Sequence, residues 1–147
     1  MAFGTDSIRD AKVIPAYCEA GAKWIKKMIA EGVPIKWTGL VNEPQDEDRV
    51  TMSLYPGLVK SMRAALDKEG LTDVKVYGPE VSNVDDKAKA YINEVIKDAD
   101  AWNAIEGLQT KSYNMSADAY MKNLADTSAK PYFVAAGCNL IPGYNNE

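Results

Sequence analysis

Histidine is absent from all 147 residues, and that gap excludes more chemistry than any other feature of the composition. Without imidazole there is no Ser-His-Asp or Cys-His relay, and a zinc hydrolase loses its commonest ligand, so no metal or cofactor is expected. Only two cysteines occur, Cys18 and Cys138, too few for a disulfide framework or a four-cysteine zinc site. Their pairing is undecided by the sequence, and two free thiols is the default. No apolar run approaches the roughly 20 residues of a membrane span. No basic segment followed by an apolar one opens the chain, which fits a cytoplasmic protein or one beginning after processing. The net charge of −4 and a pI near 4.9 argue against nucleic acid or anionic membrane as a partner. Neither Gly-x-Gly-x-x-Gly nor a P-loop is present, which removes support for dinucleotide and nucleotide functions. A flavodoxin-like or response-regulator fold would need an acidic or phosphate-binding cluster near the first strand, and none is seen.

What remains is a single-domain length with strict alternation of helix and strand patterns. Apolar spacing predicts helices over about 13–31, 54–69, 85–98 and 116–126, with Tyr17, Ala20, Trp24 and Met28 on one face of the first. Gly32 and Gly70 stand at helix ends, and Pro34 prevents continuation of the first helix. Strands are expected near Ile35–Val41, Val74–Tyr77, Ile105–Thr110 and Tyr132–Ala136, with a loop carrying Trp102 before the third. Residues 1–10 and 139–147 are read as ragged ends. Such alternation argues for parallel strands joined by right-handed crossovers, about four βα units.

The chemistry concentrates where the first strand ends, in Val41-Asn42-Glu43-Pro44. Pro44 halts strand pairing, so Glu43 is delivered at the strand's carboxyl end, the edge at which parallel α/β proteins hold ligands. The plain alternative is a solvated loop acid ahead of Asp46, Glu47 and Asp48. A second acid, Glu80 in Gly78-Pro79-Glu80, ends the next strand. It is either a second carboxyl of a pair or an acid favoured by the dipole of the following helix. Adjacent strand ends place two carboxyls within about 5–10 Å of each other. Glu106 is placed mid-strand, facing an exterior helix or solvent.

A strand ending in Asn-Glu-Pro after Gly32-Val33-Pro34-Ile35 resembles the acid/base motif of clan-A glycoside hydrolases, the retaining (β/α)8-barrel glycosidases. The resemblance covers nearly the whole chain, from the helix after the third barrel strand to the seventh strand. It implies a partial TIM barrel, a half-barrel, because a complete barrel needs about 250 residues. It implies hydrolysis of β-linked glycosides or polysaccharide, with Glu43 as acid/base and Asn42 as a contact to the sugar 2-hydroxyl. A secreted or periplasmic setting is implied by the family. Tyr113 stands where the clan has an aromatic after its sixth strand, often in His-x-Tyr, with Ser112 read as the histidine position. The seventh strand should end in Glu-x-Gly. Here Ala135 of Ala135-Ala136-Gly137 occupies the nucleophile position, and alanine cannot attack an anomeric carbon. Glu80 is then the best substitute nucleophile. Alternatively, Ala135 is an engineered knock-out or the mark of a decayed fragment. The alternative function is a non-catalytic carbohydrate-binding or structural half-barrel.

Among the aromatics, Tyr113 and Trp102 are the favoured sugar platforms, ahead of Tyr77 and Tyr144. Trp37, Trp24, Tyr55, Tyr91 and Tyr120 are read as core. An open parallel sheet has two free edges, and free edges pair, so a homo-oligomer is expected, with two copies completing eight strands.

Overall fold

The computed structural model describes residues 8–46, 49–111, 113 and 118–134. Five α-helices and four strands follow one another along them: α1 (Ile14–Ala30), β1 (Trp37–Thr38), α2 (Tyr55–Lys68), β2 (Lys75–Val81), α3 (Asp86–Lys97), α4 (Ala99–Ala104), β3 (Gly107–Thr110), α5 (Asp118–Ser128) and β4 (Tyr132–Val134). The strands form one sheet in the order β1-β2-β3-β4, every pair parallel. The molecule is an α/β protein with a four-stranded parallel sheet.

Local chemistry sets the boundaries. Proline in the first turn opens α1 (Pro15) and α2 (Pro56), where the missing N–H costs nothing. Gly32 and Gly70, at φ +91° and +77°, let the chain leave those helices. Asp85 caps α3 by accepting from the Ala88 N–H at 2.8 Å. Asp98 does the same for α4 through Ala101 at 3.0 Å, so the segment around Trp102 is a short capped helix and not the expected loop.

The core lies between the helices and one face of the sheet, around Tyr55, Leu58, Leu66, Val76, Tyr91, Ile92 and Leu108. Helix α1 reaches it through Ile14, Cys18, Ala22 and Ile25, one step round from the predicted face. The reason is close packing on α2. The Cys18 Sγ lies 3.8 Å from the Leu58 carbonyl, and a Cβ on Gly21 would stand 3.3 Å from the end of Met62. Only small side chains fit that contact, and Trp24 is turned out, 58% exposed. Tyr55 and Tyr91 are core as expected, their rings edge-to-face at 5.9 Å. In α5 it is Met121 and Ala125 that are buried, with Tyr120 and Leu124 packed at the margin.

On the other face of the sheet, Trp37 of β1 and Phe133 of β4 meet edge-on at 5.1 Å. They meet above β3, where a Cβ on Gly107 would stand 2.8 Å from the Trp37 ring and 2.9 Å from that of Phe133. Side chains from the two outer strands can touch over the inner ones only if the sheet curls towards that face. Trp37 therefore fills the concave side, half-buried, and is not part of the helix-facing core.

Two strands depart from expectation. Only Trp37 and Thr38 of the predicted 35–41 strand pair with β2, because the backbone turns aside at Gly39 to make room for a side chain from β2. Strand β2 runs on through Gly78-Pro79-Glu80 to Val81, its register slipping between Pro79 and Val81. Ile8, within the stretch expected to be ragged, is buried and bridges in parallel to Val50. Glu106 precedes β3 and pairs with Arg63 of α2 at 3.7 Å, facing a helix as expected though not mid-strand. No described helix is long and apolar enough to cross a membrane.

Candidate functional site at the carboxyl edge of the sheet

Around the carboxyl ends of β1, β2 and β3 the chain collects Asn42, Glu43, Arg49, Glu80, Lys111 and Tyr113. The first two stand in the turn after β1, and the Glu43 N–H donates to the Glu80 carbonyl at 3.2 Å. The two acids that the sequence singles out are thus joined backbone to backbone. Three described non-glycine residues adopt the left-handed conformation, and two of them are these acids, Glu43 at φ +51° and Glu80 at φ +55°. That conformation costs an L-residue about 1–2 kcal/mol, and packing must hold it in place. At Glu80 the left-handed residue is the bulge that breaks the β2–β3 register.

The carboxylates sit in different surroundings. Glu43 is held by cations: Lys111 Nζ lies 3.1 Å from its Oε1 and Arg49 Nη1 3.7 Å from its Oε2. Both Glu43 and Lys111 have little side-chain exposure, 15% and 14%, so water screens this pair only weakly. Lys111 also donates to the Asn42 side-chain oxygen, and its ammonium lies 5.9 Å from the centre of the Tyr113 ring. Arg49 donates to the Asn42 carbonyl at 3.0 Å.

Glu80 is held by neutral groups. Its carboxylate lies against Gly39, so closely that a Cβ there would fall 2.1 Å from Oε2. The Leu40 N–H donates to it at 3.1 Å. Burial pushes its proton affinity above the ordinary glutamate range, opposed by the Leu40 N–H, the Lys111 charge and a hydrogen bond from Tyr77. Tyr17 and Tyr55 lie on the helix side, both with hydroxyls raised chiefly by burial and then by neighbouring charge, including that of Glu80. The Tyr17 hydroxyl donates to the Leu40 carbonyl at 2.6 Å, steadying the turn that cradles Glu80.

A polar chain backs the turn: Gln45 donates to Ser82 Oγ at 2.7 Å, and Ser82 donates to Asp46 at 3.2 Å. The buried Gln45 Oε1 has no hydrogen-bond partner, nor has the buried Tyr55 hydroxyl. A groove of about 470 Å³ opens on the other side of Gly39 and Leu40, lined by Tyr17, Gly21, Trp24 and Met62. Among the described residues no cluster of three or more carboxylate or cysteine ligands could hold a metal ion.

The structure thus brings Asn42, Glu43, Glu80 and Tyr113 to one edge. Trp102 is elsewhere: it sits in α4, ahead of β3, with the Lys130 ammonium 4.6 Å from its ring. Lys130 donates to the Ile105 carbonyl at 2.5 Å, which fixes this stack at the amino end of β3 and β4, the end opposite Glu43. Ala135 and Ser112, with Cys138 and Tyr144, lie outside the described residues. Cys18 is a buried free thiol, its pKa pushed up to about 12 by burial, and so is inert.

Lys111 and Arg49, the two cations on Glu43, are the residues that sequence reasoning misses. The signal for Lys111 is its place directly after the third strand, at the same edge of the sheet as Glu43. Comparison with protein-family models, curated proteins and solved structures gives no match to this chain.

Proposed function

We propose that the chain is a partial (β/α)8 barrel of glycoside-hydrolase type that acts on β-linked glycosides, with Glu43 and Glu80 as its two carboxyl groups. The observation that supports this most is the pairing of the two acids. They stand on adjacent strand ends, both in the left-handed conformation, linked by the Glu43 N–H···O hydrogen bond. Left-handed non-glycine residues are costly and gather at sites where geometry serves a function. Two carboxyl groups flanking one sugar are what glycoside hydrolysis requires, and no cofactor takes part. Asn42 and Tyr113 border the same spot and are the proposed sugar contacts. With alanine at position 135, Glu80 provides the second acid. A secreted or periplasmic setting accompanies this proposal.

Carbohydrate binding without turnover is the second reading. It is favoured by the exposed Trp24 ring over the groove beside Gly39 and Leu40, since pyranose faces stack on such rings. Pairing of two copies through β1 and β4, the outer strands of the sheet among the described residues, belongs to either reading. Large apolar side chains are exposed beside both edges, Trp24 and Val33 at one and Phe133 and Val134 at the other.

Release of nitrophenol from a panel of aryl β-glycosides tests the hydrolase. The expected result is measurable turnover that at least one of Glu43→Gln and Glu80→Gln lowers about 10²-fold or more, since nitrophenol leaves with little help from an acid. Absence of turnover across the panel sinks the hydrolase and leaves oligosaccharide calorimetry to judge the binder. For the dimer, light scattering should give twice the chain mass, and a stable monomer at micromolar concentration contradicts it.

A further inference from the structure

The concave face of the sheet carries the one buried side chain among the described residues whose oxygen and nitrogen both lack a hydrogen-bond partner. It is Gln109 of β3, 2% exposed. Thr110, the next residue along the strand and on the helix side, meets the Tyr132 hydroxyl at 2.9 Å. A buried amide without partners weakens a fold, and an apolar side chain in the same space would not.

Strand alternation puts Gly107, Gln109 and Lys111 on one side of the sheet. Gly107 marks that side as the concave one, since the Trp37 and Phe133 rings meet over it. In register with Gln109 stand Pro79 of β2 and Phe133 of β4. In register with Gly107 stands Tyr77, whose hydroxyl bonds to Glu80. The Lys111 N–H donates to the Val81 carbonyl at 2.9 Å and continues the ladder, and its ammonium holds Glu43 at 3.1 Å. Gln109 thus lies one step below the Lys111–Glu43 pair, about 6–7 Å along the strand, a distance that one sugar ring bridges.

We propose that this face is a subsite for one pyranose ring, with the Gln109 amide bonded to two neighbouring hydroxyls and the Trp37 and Phe133 rings against the sugar's apolar face. The assignment rests on the glycoside reading above and adds to it where a sugar ring is held below the two acids. An amide sets a donor beside an acceptor, and vicinal hydroxyls each give and take a hydrogen bond, so the two match. Aromatic rings around a few placed polar groups are the usual lining of a small-molecule site. An anion would meet the amide oxygen with like charge, and a hydrocarbon would leave both amide atoms without partners. Phe133, 37% exposed on an outer strand of the described sheet, is the ring that turns aside to admit the sugar.

Nitrogen-15 NMR of the full chain reads the amide directly, because the side-chain NH2 signals missing from Gln109→Leu are those of Gln109. Titration of the wild type with xylotetraose or cellotetraose should shift these signals to saturation. Signals that stay in place while either sugar binds overturn the subsite. By calorimetry, Gln109→Leu should bind the same sugar about 10-fold or more weakly. Its urea midpoint should stay level or rise, since an apolar side chain replaces two unpartnered atoms. A lower midpoint with unchanged affinity makes Gln109 structural and overturns the subsite. Gln109→Met, unbranched and of similar length, gives both readings again if leucine disturbs the strand. Turnover of aryl glycosides with unmoved Gln109 signals keeps the hydrolase and overturns the subsite. Moved signals without turnover support the subsite and sink the hydrolase. Wild-type protein that binds neither sugar overturns the subsite.

Discussion

The two ends of the sheet are built on different principles. At the amino end, ahead of β3 and β4, one left-handed residue, Ala129 at φ +55°, ends α5, and the contacts stabilise the fold: Asp98 caps α4, Arg63 donates to the Val74 and Leu71 carbonyls, and Lys130 lies over Trp102. At the carboxyl end, two glutamates hold left-handed backbone, one carboxyl is half-buried among neutral groups, and the Lys111–Glu43 ion pair has little exposure to water. Buried polar atoms at Gln45 and Tyr55 lack partners there. An end that only stabilises is replaceable by anything that packs. An end that carries strain is kept for another reason, and the difference distinguishes scaffold from site.

Mutations sharpen this contrast, the largest effect first. Glu80→Gln should reduce turnover of unactivated glycosides by about 10²–10⁴-fold while leaving the melting temperature nearly unchanged. Trp102→Ala should do the converse, costing about 1–3 kcal/mol in urea unfolding with no change in turnover per folded molecule. If Trp102→Ala abolished turnover without loss of stability, the contrast would collapse. Next in size, Gly39→Ala drives a methyl into the space of the Glu80 carboxylate. It should cost about 1–3 kcal/mol and release Glu80 into water, measurable as a fall in its titration midpoint.

A pH effect follows from Glu80 itself. Its folded-state pKa lies above the ordinary glutamate value of 4.5, so the folded protein binds the proton more tightly than the unfolded chain. The stabilisation is complete below about pH 4.5 and is lost as pH rises through the folded value. Urea midpoints of wild type minus Glu80→Gln should therefore fall with rising pH from that point and then level off. A difference that rises with pH would contradict the burial argument. Smallest of all, Tyr55→Phe removes a buried hydroxyl that has no partner. It should be neutral or stabilising by up to about 1 kcal/mol, whereas loss of a satisfied hydroxyl would destabilise.

Much of the fold is legible in the residues. Period and punctuation locate four of the five helices, since Pro15, Pro56, Asp85, Gly32 and Gly70 each mark a boundary by a local rule. Helix α4 escapes because six residues carry too little periodicity, although Asp98 is there as its cap. Trp24 is misplaced because spacing alone cannot tell which of two apolar stripes fits a partner, and Gly21 against Met62 decides it. At the site, Asn42, Glu43, Glu80 and Tyr113 emerge from motif and strand-end position. The bulge at Glu80 does not, because a left-handed glutamate has no glycine to announce it. Nor does the aromatic pair over Gly107, whose rings come from the first and last strands and meet only when the sheet curls.

That the carboxyl edge is a glycoside site is tested most directly by amide NMR of the protein titrated with xylo- and cello-oligosaccharides. Shifts concentrated at Asn42, Glu43, Glu80, Lys111 and Tyr113, with none at Trp102 or Lys130, are the predicted result. No shifts at saturating sugar, or shifts confined to the amino end, would contradict it.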